Sequence, residues 1–190
     1  MCSIFGSFDL NFIEYLMKLN SYRGSHSYSY SIIDHNLNIM VERGMGKIPL
    51  HEIKHQPNTY ILCHQQAPTT EMRDIKSIHP SYIDGEYLWH NGILKEKTIS
   101  TLQKELNDSN EWDTHLLLKA IQKNNTLENI DGSFSCVHYK NNELFLFRNS
   151  ISPLFVDDNM NISSTKFIRS SPTTENIIIN FNPFTKTLNI

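Results

Sequence analysis

The chain has 190 residues, the length of one ordinary globular domain, and 39% of them are hydrophobic. A formal net charge of −3 without any Lys/Arg run argues against nucleic acid as the main partner, and no apolar run is long enough to span a membrane. Three cysteines without a CxxC pair predict neither a disulfide framework nor a metal site, so we expect a protein of the reducing cytoplasm.

Hydrophobic periodicity predicts strands and one helix in the N-terminal half. Residues 1–6 form a short apolar strand, and residues 8–22 place their apolar side chains on one helical stripe. The alternating segment 26–43 predicts two strands joined by a turn at "DHNLN". Two further strands follow, "NTYILCHQQ" and "EYLWHNGIL", and the second is predicted to end in an Asn-Gly turn.

The C-terminal half begins with two predicted helices, "KTISTLQKELND" and "WDTHLLLKAIQKN", and is otherwise β-structure. A hairpin is predicted across Asn141-Asn142, since asparagine tolerates positive φ, and a second hairpin over residues 153–165. One or two strands close the chain in residues 176–190. Because hairpins replace regular βαβ alternation, the order of elements favours an α+β fold with antiparallel sheets.

The residue type at position 2 has a chemical consequence. Removal of the initiator methionine would place a thiol and an α-amino group together on Cys2. An α-amino group has an ordinary pKa of about 8 and so can serve as a base for the thiol. Such a residue needs no catalytic triad, although a cysteine at position 2 of an arbitrary protein usually has no catalytic role.

The opening "MCSIFG" resembles the "MCGIFG" start of class II glutamine amidotransferase domains, which are N-terminal-nucleophile hydrolases. Further similar segments follow in the family's order: "LNSYRGSHSYSYSI", "RGMGKI", "YILCHQQAPT", "IHPSYIDGEYLWHNGILKE", "EWDTHLLLKAI" and residues 130–165. The match covers nearly the whole chain and is closest in motif to the glucosamine-phosphate synthase-like branch. It implies a four-layer αββα sandwich of two antiparallel sheets, with residues 2–190 as a single amidotransferase type-2 domain and no synthase domain.

The resemblance also implies catalytic residues. Cys2 would attack the side-chain amide of the substrate, with its own α-amino group as base and then as acid. Asn91 and Gly92 of "HNG" would form the oxyanion hole, through the asparagine side-chain amide and the glycine backbone N–H. The alternative for Asn91-Gly92 is a plain type I′ turn.

Three more residues are implied at the substrate: Asp113, Gln66 and His64. Asp113 of "WDTH" aligns with the acidic residue that holds the α-ammonium group of glutamine, and the alternative is a helix N-cap. Arg23 matches a segment associated with the architecture around the nucleophile. His64, His79 and His90 fall at family-like positions where packing or hydrogen bonding is the more usual role.

The sequence departs from the family pattern where the α-carboxylate of glutamine should bind. Gln66 replaces an arginine, and a neutral amide forms weaker hydrogen bonds to a carboxylate than a guanidinium does. Arg73 is the nearest cation in sequence that could compensate. Ser3 replaces a glycine beside the nucleophile, and His26 stands where the family has aspartate.

Taken together, these residues predict a cysteine amidohydrolase that acts on glutamine or a γ-glutamyl-like amide through a thioester on Cys2. The reaction would release ammonia, to water or to a separate synthase partner, and would need no cofactor. Its activity would require removal of Met1. The alternative is a catalytically weakened domain that acts as a binding or regulatory module.

Overall fold

A computed structural model describes residues 2–67 and 77–190. In chain order they form β1 (Ser3–Ser7), α1 (Leu10–Leu19), β2 (Ser27–Ile33), β3 (Ile39–Met45), β4 (Tyr60–Gln66), β5 (Ser81–Ile83), β6 (Glu86–Leu94), α2 (Glu96–Leu106), α3 (Asp113–Asn124), β7 (Gly132–Lys140), β8 (Glu143–Arg148), β9 (Phe155–Val156), β10 (Ile162–Ser163), β11 (Ser171–Pro172), β12 (Ile179–Asn182) and β13 (Thr187–Asn189). No helix within these residues is long and apolar enough to cross a membrane.

The strands form two antiparallel sheets. The seven-stranded sheet has the order β11-β9-β10-β1-β4-β2-β3, and the six-stranded sheet has the order β13-β12-β8-β7-β6-β5. One apolar cluster fills the space between the sheets, a second packs α2 and α3 on the six-stranded sheet, and a third packs α1 on the seven-stranded sheet. Buried members of the three clusters are, in that order, Trp89, Leu117 and Ile13. The predicted four-layer αββα sandwich is therefore confirmed.

Helix α1 is tied at its C-terminal end to the strands that surround β1. Its C-cap residue, Asn20, is fully buried and donates from Nδ2 to Leu16 O at 2.8 Å and to Ser163 Oγ at 2.9 Å. Its Oδ1 accepts from Thr165 Oγ1 at 2.8 Å. Because buried amides must be satisfied, this residue fixes the end of α1 against β10.

The predicted hairpins are confirmed, but the prediction of a turn at Asn91-Gly92 is wrong. Asn141 and Asn142 join β7 to β8 with φ of 51° and 57°, as expected for a two-residue turn. By contrast, β6 continues through Asn91-Gly92 to Leu94, and these residues pair with Ser135 and Phe134 of β7. Pairing with a long neighbouring strand therefore overrides the local turn preference of the dipeptide.

Candidate active site

The N-terminal strand lies inside the seven-stranded sheet, paired with β10 on one side and β4 on the other. Cys2 directly precedes it and is 6% exposed. The buried Arg23 donates to Cys2 O at 3.5 Å and to Ser164 O at 3.2 Å, and its Nε also contacts Thr165 Oγ1. Arg23 thus holds the main chain of the first residues in place, which agrees with an architectural role.

Cys2 opens on a cavity of about 610 Å³ between β6, α2 and the start of α3. The residues that line it are Cys2, Gln66, His79, His90, Gly92, Ile93, Glu96, Ile99, Ser100, Gln103, Glu111, Asp113 and Thr114. Its volume is in the range of small-molecule sites. Of the residues predicted from the sequence, it brings together Cys2, Gly92, Gln66 and Asp113.

The backbone N–H and C=O groups of Gly92 point away from the neighbouring strand β7. Gly92 is paired with Phe134 of β7, whose backbone groups face the side of β7 that is away from β6. There the Phe134 O accepts from Asn149 N, and the Phe134 N–H donates to Asn149 Oδ1. Since a strand residue points its N–H and C=O to the same side, Gly92 and Phe134 do not bond each other. The Gly92 N–H therefore lies on the side of β6 that is opposite β7. The strand on that side, β5, pairs only with the beginning of β6 and does not reach Gly92.

Asn91 is 2% exposed and lies on the face of β6 that meets the other sheet. Its Nδ2 is 3.4 Å from both Ser135 Oγ and Ser164 Oγ, and the Ser164 hydroxyl in turn accepts from the N–H of Ile4. Asn91 thus sits beside β1, two residues beyond the nucleophile, but it does not line the cavity with Gly92. Its part in an oxyanion hole stays a prediction.

Asp113 is the first residue of α3, and the N-cap position belongs to Trp112, so the N-cap interpretation is wrong. Its Oδ1 accepts from Thr114 N at 2.8 Å, and its Oδ2 accepts from Leu94 N at 3.2 Å. The Thr114 hydroxyl makes a longer contact with Oδ1, at 3.4 Å. A carboxylate has about four acceptor positions, so these bonds orient Asp113 and leave acceptor capacity for a ligand in the cavity that it lines.

A chain of hydrogen bonds joins Gln66 to His90 through His79, which the sequence placed at a family-like position, and through Thr114, which the sequence did not single out. Gln66 Oε1 is 3.0 Å from His79 Nδ1, and its Nε2 donates to Ser77 O at 3.5 Å. Thr114 Oγ1 lies 2.9 Å from His79 Nε2 and 3.1 Å from His90 Nδ1. In the sequence, the only indication of a role for Thr114 is its position directly after Asp113 in the segment "WDTH".

His64 lies behind this chain and does not line the cavity. It is fully buried, its Nε2 is 3.2 Å from His90 O, and its ring stacks on His79 with centroids 4.1 Å apart. Burial lowers the pKa of His64 from the ordinary 6.5 to about 3. The side chain is therefore a neutral support for the cavity wall, and a direct contact with substrate stays a prediction.

We expect the buried His64 to make folding weaken in acid. Between pH 6.5 and 3 the unfolded chain binds a proton that the folded His64 does not, so the free energy of unfolding falls as pH falls through this window. The loss should be about 2 kcal/mol between pH 7 and pH 5 from this group. Urea unfolding at both pH values measures this loss of unfolding free energy. The His64→Gln variant should lose less unfolding free energy than the wild type between pH 7 and pH 5.

The control for this experiment is His35→Gln, because His35 is an exposed residue of the β2–β3 turn. That variant should show the same pH dependence as the wild-type protein. A His64→Gln protein that loses as much stability as the wild type would contradict the buried, neutral state of His64.

We expect Thr114 to hold the two imidazoles in place. Thr114→Val keeps the shape but removes the hydroxyl that lies near His79 and His90, and this should cost about 1–3 kcal/mol of unfolding free energy. Thr114→Ser keeps the hydroxyl and should lie closer to the wild type. Thermal or urea unfolding of the two variants decides the point, and equal stability of both would contradict it.

The remaining departures from the family pattern have different positions. Ser3 is fully buried and, by strand alternation, faces α1 with Phe5, away from the cavity side of β1. His26 donates its backbone N–H to Gln66 O. Arg73 falls outside the described residues. Within the described residues, no group of His, Cys, Asp and Glu could hold a metal ion, and the cavity lining contains no Lys or Arg.

No family model matches this sequence, and no curated protein matches it either. Among solved structures, the chain is similar to the glutamine phosphoribosylpyrophosphate amidotransferase of B. subtilis complexed with ADP and GMP, with a TM-score of 0.68 and 16% identity over 95% of this chain and 47% of that chain. It is also similar to an allosteric regulatory enzyme of purine biosynthesis, with a TM-score of 0.73 and 16% identity over 99% of this chain and 48% of that chain.

The chain spans about half the length of these two proteins, and at such identity the likeness shows the fold alone. The fold is the sandwich of N-terminal-nucleophile hydrolases, as predicted. The fold that the resemblance to class II glutamine amidotransferases implies is therefore the fold observed, whereas a shared activity is a matter of proposal. The narrower resemblance to the glucosamine-phosphate synthase-like branch stays a prediction.

Proposed function

We propose that residues 2–190 form a glutamine amidotransferase-type domain that hydrolyses a side-chain carboxamide through Cys2. The observation that carries the proposal is the convergence of Cys2, Gly92 and Asp113 on one cavity, although they belong to three separate elements. The motif order in the sequence and the fold of the two similar structures support it further.

In this reaction the α-amino group of Cys2 takes the thiol proton, and the sulfur attacks the amide carbon of the substrate. The Gly92 N–H, with Asn91, stabilises the oxyanion that forms. The C–N bond then breaks, and ammonia leaves with the proton that the α-ammonium group returns. Water hydrolyses the thioester to a carboxylate and restores the thiol.

Asp113 would accept from the α-ammonium group of the substrate, because its carboxylate is oriented by two backbone N–H groups. Ammonia would pass to water or to a separate synthase protein. Neither step calls for a cofactor, and the domain would act in the cytoplasm.

The test is intact-mass analysis of purified protein before and after treatment with a glutamine analogue that carries an electrophilic carbon in place of the amide. We expect a mass without Met1 and a gain of one adduct on Cys2, together with ammonia release from a glutamine compound. The proposal would be overturned by a protein that lacks Met1, gains no adduct on Cys2 and releases no ammonia from glutamine or from any glutamine compound tested.

A binding or regulatory module is the second candidate, and Gln66 favours it. The site lacks, among its described lining residues, the cation that a free amino acid's carboxylate would need. If this candidate is right, Cys2→Ala protein should keep its full biological effect and its ligand affinity. Loss of the effect in Cys2→Ala would favour the enzyme.

A further inference from the structure

We propose that the substrate is a glutamine residue at the amino terminus of a peptide, with its α-carboxyl group in amide linkage, rather than free glutamine. This inference rests on the proposed function and names its substrate class. It follows from the cavity wall at Gln66, from the charges of the described lining residues and from the size of the cavity and the exposure of part of its lining.

Gln66 occupies the wall where the resemblance places the carboxylate clamp. In the β1–β4 register Ser3 pairs with Gln65, so Gln66 lies beside Cys2 on the neighbouring strand. It is 3% exposed, and its amide is held between His79 and the Ser77 carbonyl. A carboxylate brought to this wall would lose water and gain no opposite charge from the residues that the structure describes there, which is unfavourable.

A peptide carbonyl at the same wall needs only a neutral donor. The Gln66 Nε2 atom carries two N–H groups, and its contact with Ser77 O is long, at 3.5 Å. One N–H group is thus available to a carbonyl oxygen that carries no charge. The hydrogen bonding of this wall suits an amide-linked carboxyl group.

The described lining residues also disfavour a negative ligand group. Three of them are carboxylates, Glu96, Glu111 and Asp113, and none is Lys or Arg. Lys95, the residue before Glu96, is directed to Asp131 at 2.8 Å instead. A free α-carboxylate would be repelled here, whereas the α-ammonium group of a peptide is attracted.

The cavity has room for a chain that continues from the first residue. Its volume of about 610 Å³ exceeds what one amino acid fills, and its outer wall is formed by exposed residues, including Ile93, Glu96 and Ser100. The second residue of a peptide could leave through this mouth while the first residue's side chain reaches Cys2. Because Glu96 and Glu111 are exposed, solvent and salt screen them, and they should add only a modest preference for cationic peptides.

The chemistry is the proposed thioester route applied to a peptide. The γ-amide C–N bond breaks, ammonia leaves, and water supplies the oxygen of the new carboxylate. The net change is an amino-terminal glutamine converted to an amino-terminal glutamate with release of ammonia, and no oxidant or reductant is required.

The decisive experiment compares kcat/KM for ammonia release from free glutamine, glutaminamide and the dipeptide Gln-Gly. We expect both amide-linked compounds to exceed free glutamine by about tenfold or more. N-acetylglutaminamide, which lacks the ammonium group for Asp113, should be a poor substrate. Free glutamine used as well as or better than Gln-Gly would overturn the inference while leaving the proposed function intact.

Variants at Gln66 sharpen the comparison. Gln66→Arg should raise the activity on free glutamine and lower it on Gln-Gly, and Gln103→Arg, which adds the same charge at another lining residue, should shift the ratio less. If the wild type prefers free glutamine and Arg73→Gln abolishes that preference, Arg73 is the clamp and the inference is wrong. If no compound releases ammonia and Cys2 forms no adduct, the proposed function itself fails.

Discussion

A Cys2→Ala variant is expected to fold like the wild-type protein and to lose amide hydrolysis by at least about 10⁴-fold, as removal of a nucleophile does in other covalent hydrolases. The side chain is small and lies at the end of a strand, so its loss leaves the strand pairing of β1 unchanged. Ammonia release and circular dichroism measure the two effects. Activity within tenfold of the wild type would mean that Cys2 is not the nucleophile.

The other cysteines provide an internal control for the same experiment. Cys63 and Cys136 are fully buried, and burial raises the pKa of both thiols. An electrophilic glutamine analogue should therefore add once, to Cys2, and should not add to the Cys2→Ala protein. Protein produced with methionine removal inhibited should keep its fold but lose activity, because a peptide bond replaces the α-amino base.

A Gly92→Ala variant is expected to lose both stability and activity. A Cβ at this position would lie 1.9 Å from Ser133 O and 2.6 Å from Ser133 C, so the backbone of β6 or β7 must move. The cost should be about 3 kcal/mol. The displaced N–H should lower kcat by roughly 10²–10³-fold, the usual effect of a lost oxyanion donor.

Gly85→Ala is the matched control for that variant. Gly85 also has a positive φ, of 88°, but nothing lies within 4 Å of the added Cβ. It should lose about 1–2 kcal/mol from backbone strain and keep the kinetics of the wild type. A Gly92→Ala protein with the stability and kcat of the Gly85→Ala protein would contradict the role of Gly92.

The sequence predicted the fold well where local pattern and tertiary pairing agree. Alternation in residues 26–43 and the asparagines at the β7–β8 turn gave correct strands and hairpins. Asn91-Gly92 is the exception, because the turn preference of a dipeptide is worth less than the pairing of β6 with β7 over eight residue pairs.

The candidate site was predictable only in part, for a physical reason. Cys2, Gly92 and Asp113 were identified from motifs that follow one another in a fixed order. Such motifs indicate which residues could take part in the reaction, but not which side chains contact each other. The bonds from Thr114 to His79 and His90 span 35 and 24 residues, and only the packing of α3 on β6 creates them. The same holds for Gln66, whose replacement of an arginine was visible but whose hydrogen bonds were not.

The place of β1 in its sheet has a consequence for maturation during synthesis. The strand is flanked by β4 and by β10, and β10 lies at Ile162–Ser163, near the end of the chain. Arg23 likewise holds Cys2 by way of Ser164 and Thr165. The amino terminus can therefore reach its buried position only after most of the chain has left the ribosome. Until then the first residues stay open to an aminopeptidase, so the proposed removal of Met1 would take place on the nascent chain rather than on the folded protein.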